Sequence, residues 1–189
     1  VGDVDPATSL KQVEQIFGAI PAQPLPGRPK APVAPVVPQA LSMQSNYAVD
    51  GVTLFWRGPT LRDRDAPAAV LLDAVLSNRR GPLYKLVLQH KALSADLGIA
   101  RGLHTGTVQA SLTIPRGGDP KAAMALLKTT LTEIRAKGVS ADALEGMKKR
   151  ALSSKAVEKN SIAGLGSQWS AAVTAENADS PDALYDRYA

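Results

Sequence analysis

The 189 residues are 44% hydrophobic and 21% charged, with 22 Lys plus Arg against 17 Asp plus Glu. Those proportions belong to a globular chain and exclude wholesale disorder, and the length allows one ordinary domain or two small ones. Aromatic residues are only 4% and cysteine is absent, so Ala, Leu and Val must fill the core, and there is no disulfide framework, thiol nucleophile or thiolate metal site.

The net charge of +5 is spread along the chain; its tightest groups are Arg62/Arg64 with Arg79/Arg80, and Lys148-Lys149-Arg150. A base-stacking surface interleaves aromatic residues with such groups, and none is interleaved here, which argues against nucleic acid as a partner. No run approaches the ~18 apolar residues of a membrane span. The chain opens on Val1-Gly2-Asp3 without Met or a signal peptide, so it reads as cut from something longer.

In chain order, Val1-Gly2-Asp3 reads as the end of a strand. Asp5-Pro6 then opens a helix, an acidic cap followed by proline at the first helical position. Leu10, Val13 and Phe17 make its apolar face, and Gly18 stops it. From Pro21 the composition changes: Pro21, Pro24, Pro26, Pro29, Pro32, Pro35 and Pro38 are half of the chain's 14 prolines. Such a segment is an extended, semi-rigid spacer; its other reading is a ligand for a Pro-recognising domain. A domain boundary falls here.

Tyr47 to Arg57 reads as a strand in which Val52, Leu54 and Trp56 alternate with Thr53, Phe55 and Arg57. A helix follows from about Arg64 to Ser77, with Ala68, Leu71, Leu72, Val75 and Leu76 as its stripe. Gly81-Pro82 starts a shorter helix whose stripe is Leu83, Leu86, Val87 and His90. A hairpin over roughly Leu93–Leu103 and Thr105–Pro115 comes next, with His104 at its tip. Asp119-Pro120 opens a third helix facing inward through Met124, Leu127, Leu131 and Ile134 and ended by Gly138. Ser140 caps a fourth with Leu144, Met147 and Ala151 inward. A further helical stretch carries Ile162, Leu165, Trp169 and Val173, and Ser180-Pro181 opens one more. The fold class is α+β, a mostly antiparallel mixed sheet with helices packed on one face.

The residues offer no self-contained active site. His90 reads as a packing residue and His104 as a solvated turn residue, and neither has a second His or a Glu at ligand spacing. No Gly-x-Ser-x-Gly is present; Gly164 and Gly166 beside Ser167 lie in a helical pattern. Gly117-Gly118-Asp119-Pro120-Lys121 precedes a helix, but it lacks the Walker spacing and Asp119 repels phosphate, so a loop with a cap is the better reading. Lys148-Lys149-Arg150 reads as a solvated helix face.

The order of these pieces resembles the pitrilysin, or insulinase-like, family of zinc peptidases, the inverzincins. Val1-Gly2-Asp3-Val4-Asp5-Pro6 followed by Phe17-Gly18-Ala19-Ile20-Pro21 resembles the end of that family's catalytic first domain. Leu54-Phe55-Trp56-Arg57-Gly58-Pro59 resembles the opening strand of its second. Ala69 to Asn78 with Gly81-Pro82-Leu83-Tyr84-Lys85-Leu86-Val87, and Gly138-Val139-Ser140 through Leu144-Glu145 to Lys148, resemble later stretches of it.

The resemblance implies two similar α+β domains facing each other as halves of a chamber. The first carries His-x-x-Glu-His and a downstream Glu, which bind zinc and activate water; the second helps to hold the peptide. On that basis residues 1–20 are the terminal strand and helix of the preceding domain and 21–45 the linker. Residues 46–189 are then most of the second, non-zinc domain, truncated at its C-terminus. Zinc is implied for the full-length protein or its partner and not for this fragment. The implied partners are a peptide substrate and the missing zinc-binding domain or subunit. A non-catalytic subunit of a two-subunit peptidase, or an unrelated α+β interaction module, are the alternatives.

Relatives place an Arg and a Tyr around the central hairpin. Here Arg101 and His104 are present without a tyrosine, the nearest being Tyr84 on the preceding helix. Arg101 is the one candidate for substrate contact, and no catalytic or metal residue is expected. Bacterial relatives of the resembled family point to the periplasm, while the cysteine-free composition suits the cytoplasm equally.

Overall fold

The computed structural model describes residues 2–24, 26–27, 32–175 and 178–185. Helix α1 runs Pro6–Phe17, with the Asp5 side chain accepting from the Thr8 amide at 2.8 Å. The Thr8 hydroxyl and then its amide hold the Asp5 carboxyl below the ordinary aspartate value. The expected strand end is not seen: Asp3 stands in a bend, neither it nor Gly2 pairs in a strand, and Val1 lies outside the described residues. α1 buries nothing, and Leu10, Val13 and Phe17 are each more than half exposed. The described residues between 18 and 48 form neither helix nor strand, as prolines that cannot donate a backbone hydrogen bond require.

The sheet has three strands, β1 (Val49–Gly58), β2 (Ser94–Arg101) and β3 (Gly106–Pro115), in the order β1-β3-β2. Both outer strands pair antiparallel with β3. No parallel pair occurs among the described residues, so the mostly antiparallel sheet expected is antiparallel throughout its three strands. β3 lies between the two strands that share a direction, so these do not pair with each other.

Register fixes the two faces. Val52 and Leu54 align with Leu112 and Ala110, which align in turn with Ala95 and Leu97. These residues and Val108 and Ile114 form the apolar floor of the core. Trp56 shares their parity but stands 39% exposed at the strand end.

The helices cover that floor. α2 (Ala66–Leu76) packs on β2 and on α5 (Ala141–Glu158), and α3 (Tyr84–Leu88) packs on β2. α4 (Pro120–Lys137) lies across β1 and β3 with Leu127 wholly buried. Asp119 caps α4 by accepting from the amides of Lys121 and Ala122, and Ser140 caps α5 by accepting from Ala143.

Three stripes differ from the sequence reading. In α2 the buried set is Ala66, Ala69, Leu71, Val75 and Leu76, while Ala68 and Leu72 face outward. The helix is wedged between a strand and another helix, so two adjacent faces are covered. His90 does not complete the α3 stripe: the helix ends at Leu88, and His90 is exposed with φ +55°.

In α6 (Ile162–Ser170) and the π-turn Ala171–Ala175, Ile162, Trp169 and Val173 are exposed, and Gln168 and Ala172 are buried instead. Gln168 donates to the Lys155 carbonyl at 3.3 Å and to Glu158 Oε2 at 3.0 Å. A satisfied polar contact thus sets which side of α6 turns inward. α7 covers Pro181–Tyr185.

Candidate functional site

One end of the sheet gathers the loops. Gly58 leaves β1 opposite Gly106, the first residue of β3, and a Cβ on Gly106 would run into the Pro59 carbonyl. The chain then crosses to the hairpin: the Leu61 amide donates to the Gly102 carbonyl at 3.0 Å, and the Gly102 amide to the Thr105 carbonyl at 2.9 Å. Arg62 Nε donates to the Ala175 carbonyl at 3.1 Å, tying this loop to the π-turn.

Arg101 closes β2 at this end, half-buried and in register with Gly106. By alternation it has the parity of Ala95, Leu97 and Ile99, so it sits at the margin of the helix-covered side. Among the described residues no hydrogen bond or ion pair holds its guanidinium. His104 is exposed in the tip.

The uncovered face carries Thr53, Phe55 and Arg57 on β1, Thr107, Gln109, Ser111 and Thr113 on β3, and Asp96, Gly98 and Ala100 on β2. Phe55, 63% exposed, aligns with Gln109, which aligns with Gly98. The aromatic ring therefore stands beside a shallow polar floor. Arg57 is on this face, opposite in parity to Arg101, and its Nη2 donates to the Ala34 carbonyl at 2.6 Å. Phe55 and Arg57 were not singled out as site residues from sequence; their alternation with Val52 and Leu54 was the available signal.

The two sheet edges differ. On β2 the Leu97 carbonyl accepts from Ser77 Oγ at 2.5 Å. Along β1 no outward amide or carbonyl bonds another backbone group among the described residues. Ten residues of strand thus present a row of free donors and acceptors, the template that an extended chain can join.

The described residues do not fit a zinc site. No group of three His, Asp or Glu converges among them. His90 and His104 flank opposite ends of the eight-residue β2, which spans about 26 Å at the usual strand rise. In the Gly117-Gly118 loop the two glycine amides donate to Asp50 Oδ2 and to the Pro115 carbonyl, and Asp119 takes the Lys121 and Ala122 amides in capping α4, so the amides here are spent on structure. Lys148 pairs with Glu145 at 3.6 Å along α5.

A family model described as the peptidase M16 inactive domain matches residues 1–151. The chain belongs to the M16 peptidase family. This is the insulinase- and pitrilysin-like family that its motifs resemble. The M16 chain is similar in fold to an inactive peptidase domain from Bordetella parapertussis, at 20% identity and a TM-score of 0.63, covering 73% of this chain and 76% of that one. It is similar also to a protease from Helicobacter pylori, at 15% identity and a TM-score of 0.77, over 100% of this chain and 46% of that one. A third likeness is to the first half of the periplasmic protease PqqL from Escherichia coli, at 18% identity and a TM-score of 0.67, over 100% and 43%. The M16 chain thus spans less than half of these last two structures. No curated protein sequence matches it. Among the described residues no helix is long and apolar enough to cross a membrane.

Proposed function

We propose that this chain is the substrate-holding, non-zinc domain of an M16-type zinc metalloendopeptidase acting on peptides or small unfolded proteins. The match of residues 1–151 to the inactive M16 domain carries the reading. Its division is residues 1–20 as terminal elements of a preceding domain, 21–45 as linker and 46–189 as the second domain. The open face of α1 supports that division, since Leu10, Val13 and Phe17 are apolar and uncovered.

Holding is backbone work in this scheme. An extended peptide adds to the free edge of β1, which is indifferent to sequence, and side chains near it set preference. Arg101 stands on β2, two strands away from β1 at the hairpin end, so its proposed contact is with the part of the peptide that continues past this end of the sheet and not with the added strand. The zinc and the water-activating Glu belong to the preceding domain or to a separate subunit. A non-catalytic subunit paired with a metal-bearing one is the second reading, and the same inactive-domain match favours it equally.

The test uses the chain alone with an unstructured peptide labelled for fluorescence anisotropy. Binding without cleavage, and zinc far below one per chain by elemental analysis, is the expected result. Arg101→Ala should weaken binding roughly threefold to tenfold, the loss of a charge-assisted contact. Cleavage or stoichiometric zinc in the pure chain overturns the proposal. An upstream coding sequence with His-x-x-Glu-His supports the one-chain reading; its absence supports the two-subunit one.

A further inference from the structure

The helical side of the molecule, opposite the open sheet face, carries a trough that peptide holding does not use. α4 rests on β1 and β3 while α3 rests on β2, and the space between them is closed at one end by the start of α5. Its volume is about 870 Å3, within the range of sites that take a ligand. α4 lines it with Leu126, Thr130, Ile134 and Lys137, one helix face running for about 16 Å at 1.5 Å per residue. The trough is therefore elongated along a helix axis.

Its floor is apolar: Val75 and Leu86 are buried, and Ile134 and Met147 half-buried. Its rim is charged unevenly. Arg80, Lys85 and Lys91 stand along the α3 side, and among the described residues none has an ion pair or a side-chain hydrogen bond. On the α4 side Glu133 is already paired with Lys137 at 3.6 Å, and Asp142 lies in the first turn of α5. The free cations are on one bank.

We propose that this trough docks an acidic amphipathic helix of a protein partner, two to three turns long. Its apolar side chains seat on Val75, Leu86 and Ile134, and its carboxylates face Arg80, Lys85 and Lys91. An apolar floor of helical length selects a helix laid in a groove over an extended strand. The one-sided cations select the sign of the partner, speed its encounter and fix its orientation. A second copy of this chain meets like charge, since each carries +5.

The probe is a fluorescein-labelled helix of about three turns built from Glu and Leu, titrated into the full chain by anisotropy at low and high salt. Binding in the micromolar range that weakens with salt is expected. Lys85→Glu with Lys91→Glu should weaken it roughly tenfold or more. Lys121→Glu with Lys128→Glu, exposed charges of α4 outside the trough, should leave it within about twofold. All four positions are exposed, so circular dichroism should show the same fold in each variant. The Met147 methyl resonance should shift as the probe seats. Equal loss in the two charge pairs, an unmoved Met147 signal or no binding overturns the proposal. So does binding that disappears with Leu10→Glu and Phe17→Glu, which would place the probe on α1.

Discussion

Two glycines show how differently one residue type is required. Gly106 has no room: its Cβ would meet the Pro59 carbonyl, a backbone atom that cannot swing aside. Gly138 has open space around it, but its φ of +70° and ψ of −168° form a conformation nearly confined to glycine. Gly106→Ala should cost about 1–3 kcal/mol by overpacking and open the β1–hairpin junction. Gly138→Ala should cost about 1–3 kcal/mol through backbone strain alone. Urea denaturation measures both, and amide exchange at Leu61 and Gly102 should quicken only for the first.

Glu158 supplies the pH dependence at the same scale. Its carboxyl is held below the ordinary glutamate value, first by the Lys155 ammonium at 3.1 Å and then by the Gln168 amide at 3.0 Å, against the opposing effect of burial. A lowered folded-state value means that its stabilisation is complete above the unfolded value, about 4.3, and is lost as pH falls through the folded one. Both ionic partners are 42% exposed, so solvent screens the contribution. Gln168→Ala should raise the Glu158 titration midpoint toward the ordinary value, read from its side-chain carboxyl carbon resonance. A midpoint that stays put would remove Gln168 from the account.

Among the elements, α4 is the one on which the helical layer depends. Leu127 is 0% exposed beneath it and belongs to the main core cluster with Ala110 and Leu112. Leu127→Ala should cost about 2–5 kcal/mol, the range for truncating a wholly buried leucine in a packed core, seen as a lower urea midpoint at unchanged slope.

Elements with long periodic patterns were legible from sequence: the Asp-Pro starts of α1 and α4, the Ser140 cap of α5 and the β2–β3 hairpin with His104 at its tip. The faces of α2 and α6 were not. Periodicity says that a helix has an apolar side, but a helix touching two neighbours buries two sides, and Gln168 reverses the expected side of α6 by finding partners on α5.

For the whole molecule, α-helices on one face of an antiparallel sheet leave the other face and the β1 edge open, and the proposed peptide holding needs both. Arg101 at the sheet end and Arg57 one register position in from it point to opposite sides of the sheet. Arg57→Ala should therefore disturb the Ala34 contact and the open face without repeating the effect of Arg101→Ala. Amide exchange along β3 and peptide anisotropy, measured on both variants, separate the two; identical profiles would mean that the sheet does not divide their roles.

The sequence by itself determined the element order, the proline-rich separation of α1 from the sheet, the apolar floor of β3 and the family that the motifs resemble. Those features rest on local chemistry: caps, breakers and the periods of two and 3.6 residues act within a few positions of the chain. Only the tertiary structure decided the strand order, which side of the sheet Arg101 takes, that β1 keeps a free edge while β2 is capped by Ser77, and that α3 and α4 stand apart over a cationic trough. Each of those depends on which distant segments meet, and contacts between segments are set by packing of whole faces, which no single stretch of sequence contains.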